Sequence, residues 1–328
     1  MGIWARSAGG RAAAAAFALA IATTATAVTT AATVATAGPA GASTTVTHAT
    51  VASSTLHPAG GVTQDVSQAA QAATRAYWTS SRMAAAAVAA GVDELKASPA
   101  AGPPPGTPTA THFNGVPTVG ALFSTTGTHA HFCTASVVDS LTANLVITAA
   151  HCVYGGSFAK NIEFVPGYNN RLQPYGAWAV KTITVAAGWK KSQDPNLDFA
   201  FLAVAPPAGT ALPIQLVTGG LRLGIDTGYA HPVEVIGYND TGQLPIKCAT
   251  TSFKFEPSQM EYFCRDYWNG TSGGPWITGY DGHDGSGTVI GVIGGFEQGG
   301  DFRWASYSTY FGLPTLKLFL QAQFRQAR

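Results

Sequence analysis

Charge is what this chain lacks most. Its 328 residues hold 18 Lys and Arg against 17 Asp and Glu, 11% charged in all, for a formal net charge of +1. Such a surface offers no basic field for nucleic acid and none for an anionic membrane. Cys-x-x-Cys and His-x-x-x-His pairs are missing, and with them the usual spacing of a zinc site. No metal and no cofactor is expected. The N-terminus has no Arg-Arg pair, which argues against a twin-arginine leader. Beyond the N-terminal region no stretch is long and apolar enough to cross a hydrocarbon core of ~30 Å. Strand and helix patterns do not alternate, so a parallel α/β sheet is not indicated.

What is present begins with a leader. Arg6 and Arg11 precede a short Ala-rich apolar run over 12–22, and small-x-small sites come after it at Ala25-Thr26-Ala27 and Ala35-Thr36-Ala37. A basic start, a short apolar run and small residues at the cut describe a secretory signal peptide, assigned here to 1–37. The protein is expected to be secreted and extracellular. Four cysteines then fit two disulfides in an oxidising compartment.

Residues 38–110 differ in composition from the C-terminal two thirds of the chain. The start is Ala/Thr/Ser-rich and cannot bury enough surface to offset chain entropy. Val62, Val66, Ala69, Ala70, Ala73 and Tyr77 then mark one helical face, with Asp65 and Gln68 as a cap pair. A second helix is expected over 82–96, and a Pro-rich linker over 98–108. This segment reads as a propeptide, with a flexible secreted stalk as the alternative.

From residue 111 the chain turns to short strands rich in Val, Ile, Phe, Tyr and Thr, separated by Gly, Pro, Asn and Asp. Strands are expected over 116–123, 131–138, 145–148, 162–165, 178–185, 198–204, 233–238, 247–253, 289–296 and 304–309. The stretch 178–185 alternates as a half-buried strand. The fold class is all-β, a sandwich or barrels, and the length suits two small barrels in tandem. Leu313, Leu316, Leu320 and Phe324 mark one face of a C-terminal helix.

The chemistry centres on Asn269-Gly270-Thr271-Ser272-Gly273-Gly274-Pro275. Glycines let a backbone approach a ligand closely and adopt positive φ. A serine on such a turn presents its Oγ beside backbone N–H groups, the pairing that acyl transfer needs. The plain alternative is a Gly-rich turn with an incidental serine. His151, in Thr148-Ala149-Ala150-His151-Cys152, ends an apolar strand and is the candidate base. A Cys133–Cys152 disulfide would staple its strand to the one before, and outranks metal binding by these residues. Asp198 opens an apolar run and is costly to bury unless paired. It is the candidate orienter of the histidine, or else an edge residue capping a turn.

These three motifs, in the order His, Asp, Ser, resemble the signatures of chymotrypsin-like serine peptidases. The resemblance covers about 111–328 and extends to His131-Phe132-Cys133. Tyr77-Trp78-Thr79-Ser80-Ser81-Arg82-Met83 and Gly294-Gly295-Phe296-Glu297-Gln298-Gly299-Gly300 narrow it to secreted actinobacterial trypsin-like peptidases. It implies two tandem six-stranded antiparallel β-barrels with a C-terminal helix, and a signal–propeptide–peptidase layout. It implies a serine endopeptidase made as a proenzyme, with Ser272 as nucleophile, His151 as general base and then acid, and Asp198 as orienter. The N–H groups of Gly270 and Ser272 would form the oxyanion hole, and the strand around Val292, Gly294 and Gly295 would pair with an extended substrate. The partners so implied are a polypeptide substrate and the protein's own propeptide as inhibitor, with the enzyme a monomer. Cys248 and Cys264 are left as the second disulfide.

Two positions depart from the animal members of that family. Thr271 stands where they carry the aspartate that pairs with a new N-terminus on activation. Asp266 has the offset of the acidic residue at the base of a trypsin's primary pocket, but the nearby half-cystine, Cys264, is misplaced for that alignment. Asp266 is therefore either a specificity residue for Arg and Lys or a loop aspartate. His129 and His131 read as alternate strand residues, and Asp281-Gly282-His283-Asp284-Gly285 as a hairpin turn. The alternative function is a catalytically silent homologue acting as an extracellular binding module.

Overall fold

The computed structural model describes residues 60–90, 102–239 and 244–326. The expected leader, and the end of the second expected helix beyond residue 90, lie outside the described residues. The described chain opens with β1 (Gly61–Asp65), α1 (Gln68–Tyr77) and α2 (Ser80–Ala90). The short β2 (Thr111–His112) precedes β3 (Val119–Thr126), β4 (His129–Val138), β5 (Leu145–Thr148), β6 (Lys160–Pro166) and β7 (Trp178–Ala186). Helix α3 (Ala187–Ser192) leads to β8 (Ala200–Val204), and α4 (Ile214–Thr218) with β9 (Arg222–Leu223) leads out of this half. The second half holds β10 (His231–Gly237), β11 (Ile246–Glu256), β12 (Gln259–Phe263), β13 (Pro275–Thr278), β14 (Thr288–Val292) and β15 (Ala305–Thr309). Helix α5 (Leu313–Gln326) ends it.

Six strands in the order β7-β6-β3-β4-β5-β8 form one sheet, and β7 pairs β8 to close it into a barrel. Closure removes the exposed edges that an open sheet would present. Its interior is filled by Leu122, Val137, Ile147, Phe164, Ile183 and Leu202, each 1% exposed or less. The second half runs β15-β12-β11-β10-β13-β14-β9, with β2 paired on β11. Its ladders are antiparallel except for β14 with β9. Between β14 and β15, Val292 N donates to Ser308 Oγ at 2.9 Å and Gly294 N to Tyr307 O at 3.0 Å. Val235, Met260, Tyr262, Trp276 and Ile290 make a separate core there. Both expected disulfides are present, Cys133–Cys152 and Cys248–Cys264.

Three expectations change. Residues 62–65 are strand, not helix: β1 lies antiparallel on β7, with Val62 opposite Val185 and Asp65 opposite Thr182. A β-branched pair, Val62 and Thr63, meets an available edge, and that pairing overrides the helical spacing. The helix starts later, with Ser67 Oγ accepting from Ala70 N at 3.2 Å, so Ser67 and not Asp65 is the cap. Strand β7 is buried along nearly its whole length, not on one face, because α1 and α5 lie against it.

The third change concerns α5. Leu313, Leu320 and Phe324 face outward at 52%, 36% and 55% exposure. The face laid on the barrel is Thr315, Leu318, Ala322 and Gln323. The ring of Phe319 sits 5.4 Å from that of Phe201 in β8. Fit to the barrel wall and three polar anchors set the helix rotation in place of the leucine count: Gln321 reaches Gly61, Gln323 reaches Leu141 N and Arg325 reaches Asp65.

Candidate active site

The apolar strand β5 delivers His151 to the rim of the first barrel, one residue before Cys152 of the disulfide. A 3-10 turn, Pro195–Leu197, delivers Asp198 just before β8. Asp198 is fully buried and its carboxylate is fully engaged. Oδ1 accepts from His151 N at 2.9 Å, and Oδ2 lies 2.8 Å from His151 Nδ1. Oδ2 also accepts from Gly295 N at 2.9 Å. Three partners from two segments fix the carboxylate, so the imidazole is oriented by a group that cannot turn.

Ser272 sits in the second half on the glycine-rich loop before β13. Gly270 has φ 92° and Gly273 φ 79°, values that suit glycine. Space requires glycine too. A Cβ on Gly270 would lie 2.5 Å from Tyr238 O and 2.8 Å from the Phe132 ring, and one on Gly273 would collide with Thr148 Oγ1 and Thr134 O. Thr271 closes the loop on itself: its N and its Oγ1 both donate to Trp268 O, at 3.1 and 2.6 Å.

Two side chains invisible to motif reading hold these parts together. Thr134 of β4 donates N to Ser272 O at 2.8 Å and Oγ1 to Gly270 O at 2.9 Å. Its Oγ1 also accepts from Tyr238 N at 2.9 Å. Gln259, 2% exposed, donates to Pro195 O and Asn196 Oδ1 at 2.9 Å and accepts from Phe296 N at 3.2 Å. It ties the turn that carries Asp198 to the loop beyond Gly295. Neither residue has a spacing or motif that marks it in the sequence.

His151, Ser272, Gly270 and Thr271 line one cleft of about 1220 Å³ between the two halves. One wall is the β3–β4 hairpin with His129 and His131; the other is the loop with Glu297, Asp301 and Arg303. The Arg303 guanidinium lies 3.6 Å over the Trp268 ring, a cation–π contact at the cleft edge. Among the described residues no hydrogen bond joins Ser272 Oγ to His151. Such contacts often form only once a substrate is held.

The expected substrate residues fare differently. Asp266 is exposed, has φ 72° and is absent from the cleft lining, so it does not form the base of a pocket. Val292 is fully buried, and its N–H donates to Ser308 Oγ. The N–H groups of Gly294 and Gly295 are committed to Tyr307 O and Asp198 Oδ2. That stretch presents Ile293 to the cleft and has no spare N–H at Val292, Gly294 or Gly295 for an extended peptide. Cys133, His151 and Cys152 cluster as metal ligands do, but both sulfurs are spent in the disulfide. Residues 281–285 form the β13–β14 turn, with Asp281 Oδ1 accepting from His283 N.

Known proteins share this architecture. The crystal structure of the protease Anisep from Arthrobacter nicotinovorans superposes with a TM-score of 0.59 at 24% identity, covering 66% of this chain and all of that one. The thermostable serine protease AL20 from an extremophilic microorganism gives 0.57 at 26% identity, covering 64% of this chain and 98% of that one. An extracellular metalloprotease of Bacillus subtilis is 32% identical over 82 residues, 24% of this chain and 25% of the relative. The glutamyl endopeptidase of Bacillus licheniformis is 33% identical over 70 residues, 20% of this chain and 22% of the relative. The chain thus matches about a quarter of the length of these curated relatives. The sequence pattern of the family described as Trypsin matches residues 106–303. With the closed first barrel, the paired second sheet and the C-terminal helix in place, the chain belongs to the Trypsin family.

Proposed function

We propose that the protein is a secreted serine endopeptidase, made as a proenzyme, that hydrolyses peptide bonds through an acyl-enzyme. The carrying observation is the His151–Asp198 pair, with Nδ1 and Oδ2 2.8 Å apart, and His151 in one cleft with Ser272. Ser272 Oγ attacks the scissile carbonyl while His151 Nε2 takes its proton. Asp198 holds the tautomer that leaves Nε2 free as acceptor and stabilises the imidazolium that forms. The N–H groups of Gly270 and Ser272 receive the oxyanion, and His151 then protonates the leaving amine. Water, deprotonated by the same imidazole, releases the acyl group.

The leader pattern of residues 1–37 and the two disulfides support export, and residues 38–110 supply the pro-segment. Sequencing the N-terminus of the secreted protein checks both cuts. Ser272→Ala should abolish peptide cleavage and labelling by a phosphonofluoridate; labelling of the variant at an unchanged rate would overturn the assignment. The unmade Ser272–His151 hydrogen bond favours a second reading, a silent homologue that binds without cutting. A folded, exported sample that cleaves nothing in a peptide library supports that reading.

A further inference from the structure

Residues 60–90 occupy an unexpected place for a removable inhibitor. None of residues 60–86 lines the cleft. They are built into the first barrel and lie behind the oxyanion loop. Strand β6 pairs only with the start of β7, at Trp178 and Ala179. Along the rest of that edge, Thr182 to Ala186, the partner is β1. Without β1 those residues would be an open strand edge, a site for wrong pairing.

The two helices add a hydrophobic wall. Trp78, between α1 and α2, is 5% exposed and its Nε1 donates to Asn161 O at 2.5 Å. Its ring lies 5.3 Å from Phe123, and Phe123 lies 5.2 Å from Phe132. From α2, Met83 and Ala86 are buried in the same cluster, with Tyr168 and Tyr238. Gln173 Nε2 donates to Met83 Sδ at 3.2 Å. The series ends at the Ser272 loop: Phe132 and Tyr238 O are the two groups that a Cβ on Gly270 would meet. A side chain from the N-terminal segment is thus two aromatic rings away from the glycine assigned to the oxyanion hole. The loop has no aspartate for a new N-terminus to grip: position 271 is threonine, and its hydroxyl donates to Trp268 O.

We propose that residues 60–90 stay with the active enzyme as a positioning segment, with Trp78 as the anchor that seats Phe132 behind Gly270. This deepens the peptidase reading and rests on it. Interiors are close-packed, so emptying the Trp78 site leaves Phe132 without its backing and lets the Gly270 turn relax. The segment acts through Phe132 and touches no reacting atom. A maturation cut in the linker leaves it bound by its ladder and its buried face.

The test uses the full chain. A recognition site for a foreign protease is placed at Gly106, which is exposed with open space around its α-carbon. After cutting and size exclusion, mass spectrometry under denaturing conditions should find residues 60–90 co-eluting with the Ser272 fragment, and that complex should be the species that cleaves peptide and takes the phosphonofluoridate label. Trp78→Ala should lower kcat at least tenfold with KM within threefold, and slow phosphonofluoridate labelling of Ser272 in parallel. Trp78→Phe should restore most of the loss, which separates positioning from misfolding. A labelled, active enzyme from which residues 60–90 have gone overturns the proposal, and so does Trp78→Ala labelling at the full rate. Failure of the peptidase reading looks different, because then neither the uncut nor the cut parent labels or cleaves.

Discussion

Thr134 holds Ser272 from across the molecule: its backbone N–H, on a strand of the first barrel, reaches the Ser272 carbonyl at 2.8 Å. The preceding residue, Cys133, is disulfide-bonded to the neighbour of His151. One dipeptide therefore ties the His151 turn and the Ser272 loop together. The Thr134 hydroxyl contributes further by bonding Gly270 O and Tyr238 N. Thr134→Val keeps the shape and strands both partners, at a cost of about 1–3 kcal/mol for the buried Tyr238 N–H. We expect a lowered melting temperature and a kcat reduced roughly 10- to 100-fold, with KM little changed. Steady-state kinetics beside a thermal melt decide it.

Asp198→Asn tests the orienter. The carboxylate accepts from three donors, and an amide would place an N–H₂ against at least one of them. The imidazole then has no acceptor for Nδ1–H, and kcat should fall on the order of 10⁴-fold at neutral pH. A variant within tenfold of the parent enzyme would remove Asp198 from the mechanism.

Asp266→Asn should leave specificity alone. The side chain is exposed and outside the cleft, so the ratio of kcat/KM for Arg or Lys over other residues at the cleaved bond should change less than twofold. A larger change would restore the pocket role that the sequence offset suggested.

Glu163 gives the stability a pH dependence. It is 1% exposed in β6, and burial pushes its carboxyl up from 4.5 to about 7, with Arg75 pulling the other way. The folded state therefore binds a proton that the unfolded chain has released. This group's contribution to stability is fully present below about 4.5 and is lost as pH rises to about 7, on the order of 3 kcal/mol. Glu163→Gln should flatten that limb of the curve. Denaturant melts at pH 4.5, 6 and 8 on both proteins measure it; parallel curves would rule it out.

Removing the Cys133–Cys152 bridge, as Cys133→Ala with Cys152→Ala, should cost about 2–4 kcal/mol, given a sequence separation of 19. Activity should suffer more than the Cys248–Cys264 pair would cause, because only the first bridge touches the histidine turn. Titrating both double variants with denaturant and substrate compares them directly.

Residue patterns were informative where the relevant partner is close in sequence or the chemistry demands a fixed motif. The strands around 131–138, 145–148 and 233–238 announce themselves by β-branched and aromatic runs, and His151, Asp198 and the Ser272 loop by their motifs. Strand β1 could not be read that way, because its partner β7 lies some 120 residues on and the local spacing also fits a helix. The α5 face failed for a related reason: its leucines count as a stripe, yet the barrel accepts Leu318 and Ala322 and leaves Leu313 and Phe324 in water. Thr134 and Gln259 are single polar residues whose importance lies only in what folding puts beside them.

The meeting of β1 and α5 makes the described chain nearly a ring. Gly61 and Gln321 exchange two hydrogen bonds at 2.9 Å, and Asp65 pairs with Arg325 a turn further along. Head and tail are a clasp. Trimming the last turn of α5 would loosen the first strand, and a gene permuted to join these ends would keep every ladder of the barrel.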